Sequence, residues 1–419
     1  MKILKIIAYV SVYGCLLVII GCSTHQKDRQ KQTHKADRLD IPQHIQALDS
    51  LTVYSLDKEL TDTIRFEKEA MFTDSVGIGS MGTVAVDEQG RVYIAEGGIK
   101  SNRQTIHVFE PDGSHISTMG RAGAGPGEFQ ILSDIQIQSN HLYAYDYKLQ
   151  RINVFSLRSL SSTGTVKLNP QSWDNIEELS GYNPDQGHYF VRNDSTFLFG
   201  FAEPLRPDNP NNRYRRYYLL DWEGNIISDQ IFKEKDVNLH QGTGMPGPQL
   251  AKSPTLPFHR NALMVSSTDG HIFSAWTEEF LIKKYDPAGK YLEAFYYPYT
   301  RSALREEDIL ARYKNYSRRM KQAVHNTEFP KTWPALHYML LDDENRLWVC
   351  TISDDSDYYR WWVMDENGKP MGIFKWPGRR LFRNTEERRI KVIKDGYLYA
   401  VKTNEETGVQ QLIKYRIQM

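Results

Sequence analysis

The sequence is short of cysteine, of unbalanced charge and of cofactor motifs, and each shortage excludes something. Three cysteines occur in 419 residues. Cys15 sits inside an apolar N-terminal run and Cys22 directly follows it, so only Cys350, in RLWVCTI, is left for the body of the chain. An intramolecular disulfide there is excluded, and Cys350 reads as a buried strand residue. Lys plus Arg and Asp plus Glu both number 52, so no bulk field favours nucleic acid as a partner. There is no Gly-x-x-x-x-Gly-Lys-Ser/Thr loop, no His-Glu-x-x-His and no Cys-x-x-Cys, and neither a cofactor nor a metal is expected from motif spacing. Apolar residues alternate at period two along nearly the whole chain, which excludes a helical architecture.

The one long hydrophobic run is at the start. Lys2 and Lys5 precede an uncharged stretch from Ile6 to Ile20, the layout of a targeting signal that takes no part in the fold. Its end, Ile19-Ile20-Gly21-Cys22, resembles a bacterial lipobox. That resemblance implies cleavage before Cys22, a diacylglycerol on its thiol and an acyl chain such as palmitate on its new amino group. The apolar run is shorter than the roughly 20 residues of a spanning helix, whereas acyl chains, at ~0.8 kcal/mol per buried methylene, give a stable anchor. An uncleaved transmembrane anchor is the alternative. Ser23 stands where aspartate would direct inner-membrane retention by analogy with enteric bacteria, so the expected location is the cell envelope, at the outer membrane. Residues 1–21 are read as signal peptide, 22–49 as a polar, flexible tether and 50–419 as the folded domain.

That domain reads as twelve hairpins of two alternating kinds. One kind carries an acidic residue and a glycine at a tight turn: IHVFEPDGSHIST from Ile106, YYLLDWEGNIISD from Tyr217, LIKKYDPAGKYLEA from Leu281 and WWVMDENGKPMGI from Trp361. INVFSLRSL from Ile152 and LIKYRI from Leu412 are weaker relatives. Each is preceded by the second kind, beginning near Val84, Ile135, Tyr189, Leu263, Met339 and Ile390. Alternating strands around Pro, Asp, Asn and Gly are hairpin signals, and six four-stranded antiparallel units in series are best closed as a β-propeller. The fold class expected is therefore all-β, a six-bladed propeller with one helical insertion at about 301–326. The last unit lacks an outer strand, which either DTIRFEKEAMFTD from Asp62 or LTVYSL from Leu51 would supply. On the insertion, Leu304, Leu310, Tyr313, Met320 and Val324 share a face, and acids lead while bases follow, as a helix dipole prefers.

The stretch GRAGAGPGEFQILSDIQIQSNHLYAYDYKLQRINVF, from Gly120 to Phe155, resembles the NHL-repeat class of propellers. With the lipobox, the helical insertion and LLDDENRLWV, it also resembles the six-bladed propeller lipoproteins of Gram-negative bacteria. In this reading Gly123, Gly125, Pro126, Gly127, Glu128 and Phe129 form an inter-blade connector rather than a phosphate loop: a strand, not a helix, follows them. Phe129 is expected between two sheets, and Glu128 on neighbouring backbone amides.

Candidate binding residues are few. SDDSDYYRWW places Asp354, Asp355 and Asp357 beside Tyr358 and Tyr359, a possible patch for a sugar or peptide. It lacks the glycine and distal glutamate of a calcium loop. Related six-bladed propellers include lactonases, strictosidine synthase-like hydrolases and amidating lyases, and Asp87, Asp134 and His337 are the candidates for channel residues. They repeat no recognisable catalytic set, and Asp87 and Asp342 align with one another as turn residues. The function expected is a lipid-anchored binding or scaffold module for a peptide, glycan or partner envelope protein. The alternative is a metal-assisted hydrolase or lyase with its site in the central channel.

Overall fold

The period-two alternation is realised as six antiparallel sheets arranged in a ring. The computed structural model describes residues 41–55, 63–73, 76–99, 101–193, 196–204, 213–238, 258–378, 390–404 and 409–419. Blade one begins at Met81–Val86, blade two at Leu132–Gln138, blade three at Asn183–Asn193, blade four at Arg260–Ser266, blade five at Leu336–Leu341 and blade six at Ile390–Lys394. In blades one to five the next three strands follow in chain order from inside to outside, and in blade six two do, Tyr397–Thr403 and Gln410–Gln418. These first strands lie against one another around most of the ring and so line its centre. The chain is thus a six-bladed β-propeller.

Ring closure uses the first of the two segments proposed from sequence. Arg65–Phe72 pairs antiparallel with Gln410–Gln418, from Arg65 opposite Gln418 to Phe72 opposite Leu412, and becomes the outer strand of blade six. The other segment, Leu51–Val53, goes elsewhere. It runs parallel to the outer strand of blade four, Tyr291–Tyr296, with Leu51 opposite Ala294. Blade four is therefore larger than the four strands expected, since Val237–Asn238 also pairs with the start of its inner strand. The end of the expected tether is likewise packed. Gln43–Gln46 forms a helical turn whose Ile45 is fully buried against Leu281, Ala294 and Tyr296. Ile41, Ile45, Leu48 and Leu51 bring enough apolar surface to offset the ordering that the preceding polar residues cannot.

The insertion before blade five is two helices, Glu306–Tyr313 and Arg318–His325, rather than one. Asn315 and Ser317 fall between them, residue types that favour caps over helix interiors, and the Ser317 carbonyl accepts the first bond of the second helix from Lys321 N. Ile309, Tyr313 and Val324 are buried against the sheet residues of blade five, while Leu304 and Leu310 are partly buried. Two shorter helical pieces, Gln171–Asp174 and Glu177–Leu179, lie between blades two and three.

The core lies between blades. One apolar cluster, centred on Phe129, Tyr93, Leu142 and Phe155, fills the space between blades one and two. Comparable clusters fill most of the other gaps. Between blades three and four the buried apolar set among the described residues is Leu198, Tyr217, Phe232 and Ile272. Something other than hydrocarbon occupies the rest of that junction.

Candidate ligand cleft between blades three and four

The residues singled out from sequence lie apart from that junction. Gly120–Gln130 joins the outer strand of blade one to the inner strand of blade two. Gly120 has φ +70°, and a Cβ there would come within 2.2 Å of the Phe129 ring. Phe129 is fully buried and packs on Phe155, with ring centres 6.0 Å apart. Glu128 accepts from Gly125 N at 2.8 Å and from Arg121 Nε at 2.8 Å; the Gly125 amide first, then Arg121, hold its pKa below the ordinary value. Arg151 donates to the carbonyls of Ala124, Gly125 and Glu128. Gly123, Pro126 and Gly127 complete this turn, in which backbone amides and carbonyls are bonded within the protein.

The acidic and aromatic stretch of blade five divides. Asp354, Asp355 and Asp357 are exposed in a turn closed by Asp357 N donating to Asp355 Oδ1. Tyr358 is exposed, but Tyr359 is buried, stacked on His337 with ring centres 4.6 Å apart. Strand alternation explains the split, since successive side chains leave opposite faces, and Tyr359 is not part of a surface patch. Asp87 and Asp342 act as turn residues in the same way. Asp87 accepts from Gln89 N, Arg91 N, Arg91 Nε and Tyr93 Oη, and Asp342 from Glu344 N, Arg346 N, Arg346 Nε and Trp348 Nε1. Asp134 stands on the inner wall, receives Gln136 Nε2 at 3.1 Å, and is pushed up to about 6 by burial. Cys22, Ile19, Ile20 and Gly21 lie outside the described residues.

The polar junction begins with the sequence NPDQGHYF. Pro184 lacks an amide hydrogen, and the ladder of blade three's inner strand is interrupted between Pro184 and Tyr189. The bulge brings Asp185 and His188 beside Arg215, on the third strand Tyr214–Leu220. Cross-strand pairing sets Arg215 directly opposite Glu234 on the outer strand Phe232–Lys235. Arg215 is buried and donates to three carboxylates: Nε to Asp185 at 2.8 Å, Nη1 to Glu234 at 3.1 Å and Nη2 to Asp236 at 2.7 Å. Arg213 adds a contact to Asp236 at 3.1 Å. Tyr217 Oη donates to Glu234 Oε1 at 2.8 Å and lies 3.1 Å from His188 Nδ1. Ser274 Oγ, on blade four, donates to the second Glu234 oxygen at 3.2 Å.

Burial raises the pKa of Glu234 in spite of Arg215. Burial also opposes ionisation of Asp185, but His188 and then Arg215 outweigh it and hold Asp185 below the ordinary value. A buried charge set of this kind persists only when its members are paired and hydrogen-bonded. Asp236 has a second part, as its carbonyl accepts from Ala262 N and so links the outer edge of blade three to the inner strand of blade four.

Outside this cluster the junction opens into a cleft of about 410 Å³, within the range of small-ligand sites, ~300–1,000 Å³. Glu234, Ser274, Phe232, Trp276, Leu281 and Tyr285 line it. Lys233, Lys235 and Lys283 also line it, with His44 and Glu279 paired at 2.9 Å on the rim. Lys235 Nζ lies 5.0 Å from the Trp276 ring centre. The gap exists because blade three's outer strand is short, pairing only over Tyr214–Tyr217. None of these residues stood out in the sequence. The signals that were present are the Pro-Asp-Gln-Gly break within a strand and the alternating charges of FKEKD and YRRYY.

Among the described residues no three His, Cys, Asp or Glu side chains are placed to share a metal ion, and no helix is long and apolar enough to cross a membrane. Comparison with known proteins agrees on architecture. Residues 56–239 match a protein-family model described as a 6-bladed beta-propeller. No curated protein matches the chain. Among solved structures it is similar to a candidate exported protein of Bacteroides fragilis, at 14% identity and TM-score 0.50, over 88% of this chain and 100% of that one. It is also similar to a DUF4221-family member from Bacteroides vulgatus, at 12% identity and TM-score 0.48, over 85% of this chain and 99% of that one. At such identities the likeness is one of fold, that of a six-bladed β-propeller.

Proposed function

We propose that the chain is an exported, lipid-anchored propeller of the cell envelope that acts as a binding module, holding its ligand in the cleft between blades three and four. The observation that carries the binding reading is the cleft itself: aromatic rings, a hydroxyl, a carboxylate and lysines line one space. The neighbouring carboxylates are committed to Arg215, Tyr217 and Ser274, which favours recognition over proton transfer. A glycan, a peptide or a segment of a partner envelope protein fits such a surface. Trp276→Ala should abolish the quench or shift of tryptophan emission produced by soluble envelope glycans or peptides, with thermal unfolding unchanged. Ligand response that persists in this variant would move the site elsewhere.

The anchor rests on Lys2, Lys5, the apolar run and Ile19-Ile20-Gly21-Cys22, and the Bacteroides fragilis neighbour, described as exported, supports an envelope location. The NHL-like stretch of blade two supports the same grouping with propeller lipoproteins. Two or more acyl chains at Cys22 would hold the protein stably at a membrane. Cys22→Ala should eliminate incorporation of labelled palmitate and release the protein from the membrane fraction. Continued acylation of that variant would overturn the lipobox reading.

A further inference from the structure

We infer that the cleft is specific for an acidic saccharide, one carrying carboxylates on sugar rings; this rests on the cleft being the ligand site. Three features lead there. First, Lys235 and Lys283 have no carboxylate partner among the described residues, whereas the two acids of the lining are already engaged, Glu234 with Arg215 and Glu279 with His44. The cleft thus presents unmatched positive charge around its opening, which favours an anion.

Second, part of the lining disfavours some anions. Glu234 presents a carboxylate and Ser274 a hydroxyl that donates to it, and a phosphate or carboxylate brought against Glu234 is repelled. Hydroxyl groups suit that pair, because they donate to a carboxylate and accept from a hydroxyl. The ligand must therefore carry hydroxyls where it meets Glu234 and Ser274 and negative charge where it meets the lysines. Third, the rings of Trp276 and Tyr285 line the same space, and an aromatic ring is the surface on which the C–H face of a sugar ring stacks. Ammonium groups on flexible stems follow anions at varied positions. A bidentate phosphate site would instead favour the planar fork of arginine, and Arg213 and Arg215 are turned to Asp185, Glu234 and Asp236.

The test is calorimetric titration of the purified full chain with trigalacturonic acid, neutral galactotriose and an acidic peptide of matched charge. The acidic trisaccharide should bind at least tenfold more tightly than the neutral one, with affinity falling as salt is raised. Lys235→Met with Lys283→Met, which keeps the stems, should lower that affinity at least tenfold and leave thermal unfolding in place. Equal binding of both trisaccharides, abolished by Trp276→Ala, overturns the acidic class and leaves the cleft as a binding site. Tighter binding of the acidic peptide, lost with the lysines, overturns the saccharide class alone. Absence of binding by all three overturns both this inference and the binding reading.

Discussion

The junction between blades one and two and that between blades three and four solve the same problem with opposite materials. Each must fill the space between two twisted sheets that diverge outward. The first does so with thirteen buried apolar residues, among them Phe129, whose ring is delivered by a glycine turn that no side chain could follow. The second has four buried apolar residues, then Arg215 with its three carboxylates, then an open cleft. A dry junction has dispersion contacts in every direction and nothing left to offer a ligand. A polar junction needs each charge satisfied, and its outer groups can bind what enters. The difference is why the proposed ligand site falls in the less densely filled gap.

The largest effects should come from breaking each junction at its centre. Arg215→Ala leaves Asp185, Glu234 and Asp236 buried without their shared cation, and should cost about 3–5 kcal/mol near neutral pH. Phe129→Ala should cost about 3–5 kcal/mol through transfer and cavity terms. Urea titrations at several pH values separate the two. The Arg215 deficit should shrink as pH falls toward 4, because the stranded carboxyls take up protons in the folded state and so favour it. The Phe129 deficit should stay flat. Two flat profiles would show that the carboxylates of blade three are not the reason Arg215 matters.

A smaller effect is expected on the inner wall between these junctions. Asp134 has a folded pKa of about 6 against an ordinary 3.8, raised by burial. The folded protein therefore binds more protons than the unfolded chain between about pH 4 and 6, so it loses stability as pH rises through that window. Asp134→Asn keeps an acceptor for Gln136 and removes the buried charge. It should stabilise the protein by on the order of 2–3 kcal/mol at neutral pH, with no gain near pH 4. An unchanged pH slope in that variant would place Asp134 in a wetter setting than the inner wall provides.

These cases also show what kind of information a sequence carries. Blade number and hairpin pairing were legible, because turn residues such as Gly113, Gly224, Gly289 and Gly368 require positive φ at fixed places. The connector at Gly120–Gln130 was legible for the same reason: its function is local. The closing strand at Arg65–Phe72 was one of two named options, and register with Gln410–Gln418 decides between them. The cleft was not legible, since Arg215 and Glu234 meet only through strand register, and Ser274 and Trp276 come from another blade. SDDSDYYRWW misled for the complementary reason. Composition marks it as polar and aromatic, but alternation sends Tyr359 inward while Tyr358 stays outside.

The smallest effect tests the edge of the comparison, where the N-terminal segment reaches the cleft. His44 is held by the helical turn Gln43–Gln46 and pairs with Glu279 on the rim, but its side chain is 65% exposed. Exposed pairs contribute about 0–1 kcal/mol, and the segment is fixed mainly by Ile45 against Leu281, Ala294 and Tyr296. His44→Ala should therefore shift the urea midpoint by less than about 0.5 kcal/mol equivalent, and Ile45→Ala should cost about 2–4 kcal/mol. Equal losses from the two substitutions would mean that the rim pair, not the buried isoleucine, seats this segment. The polar character of the junction between blades three and four would then extend to its outermost edge, and the cleft would be closed on that side by charge rather than by packing.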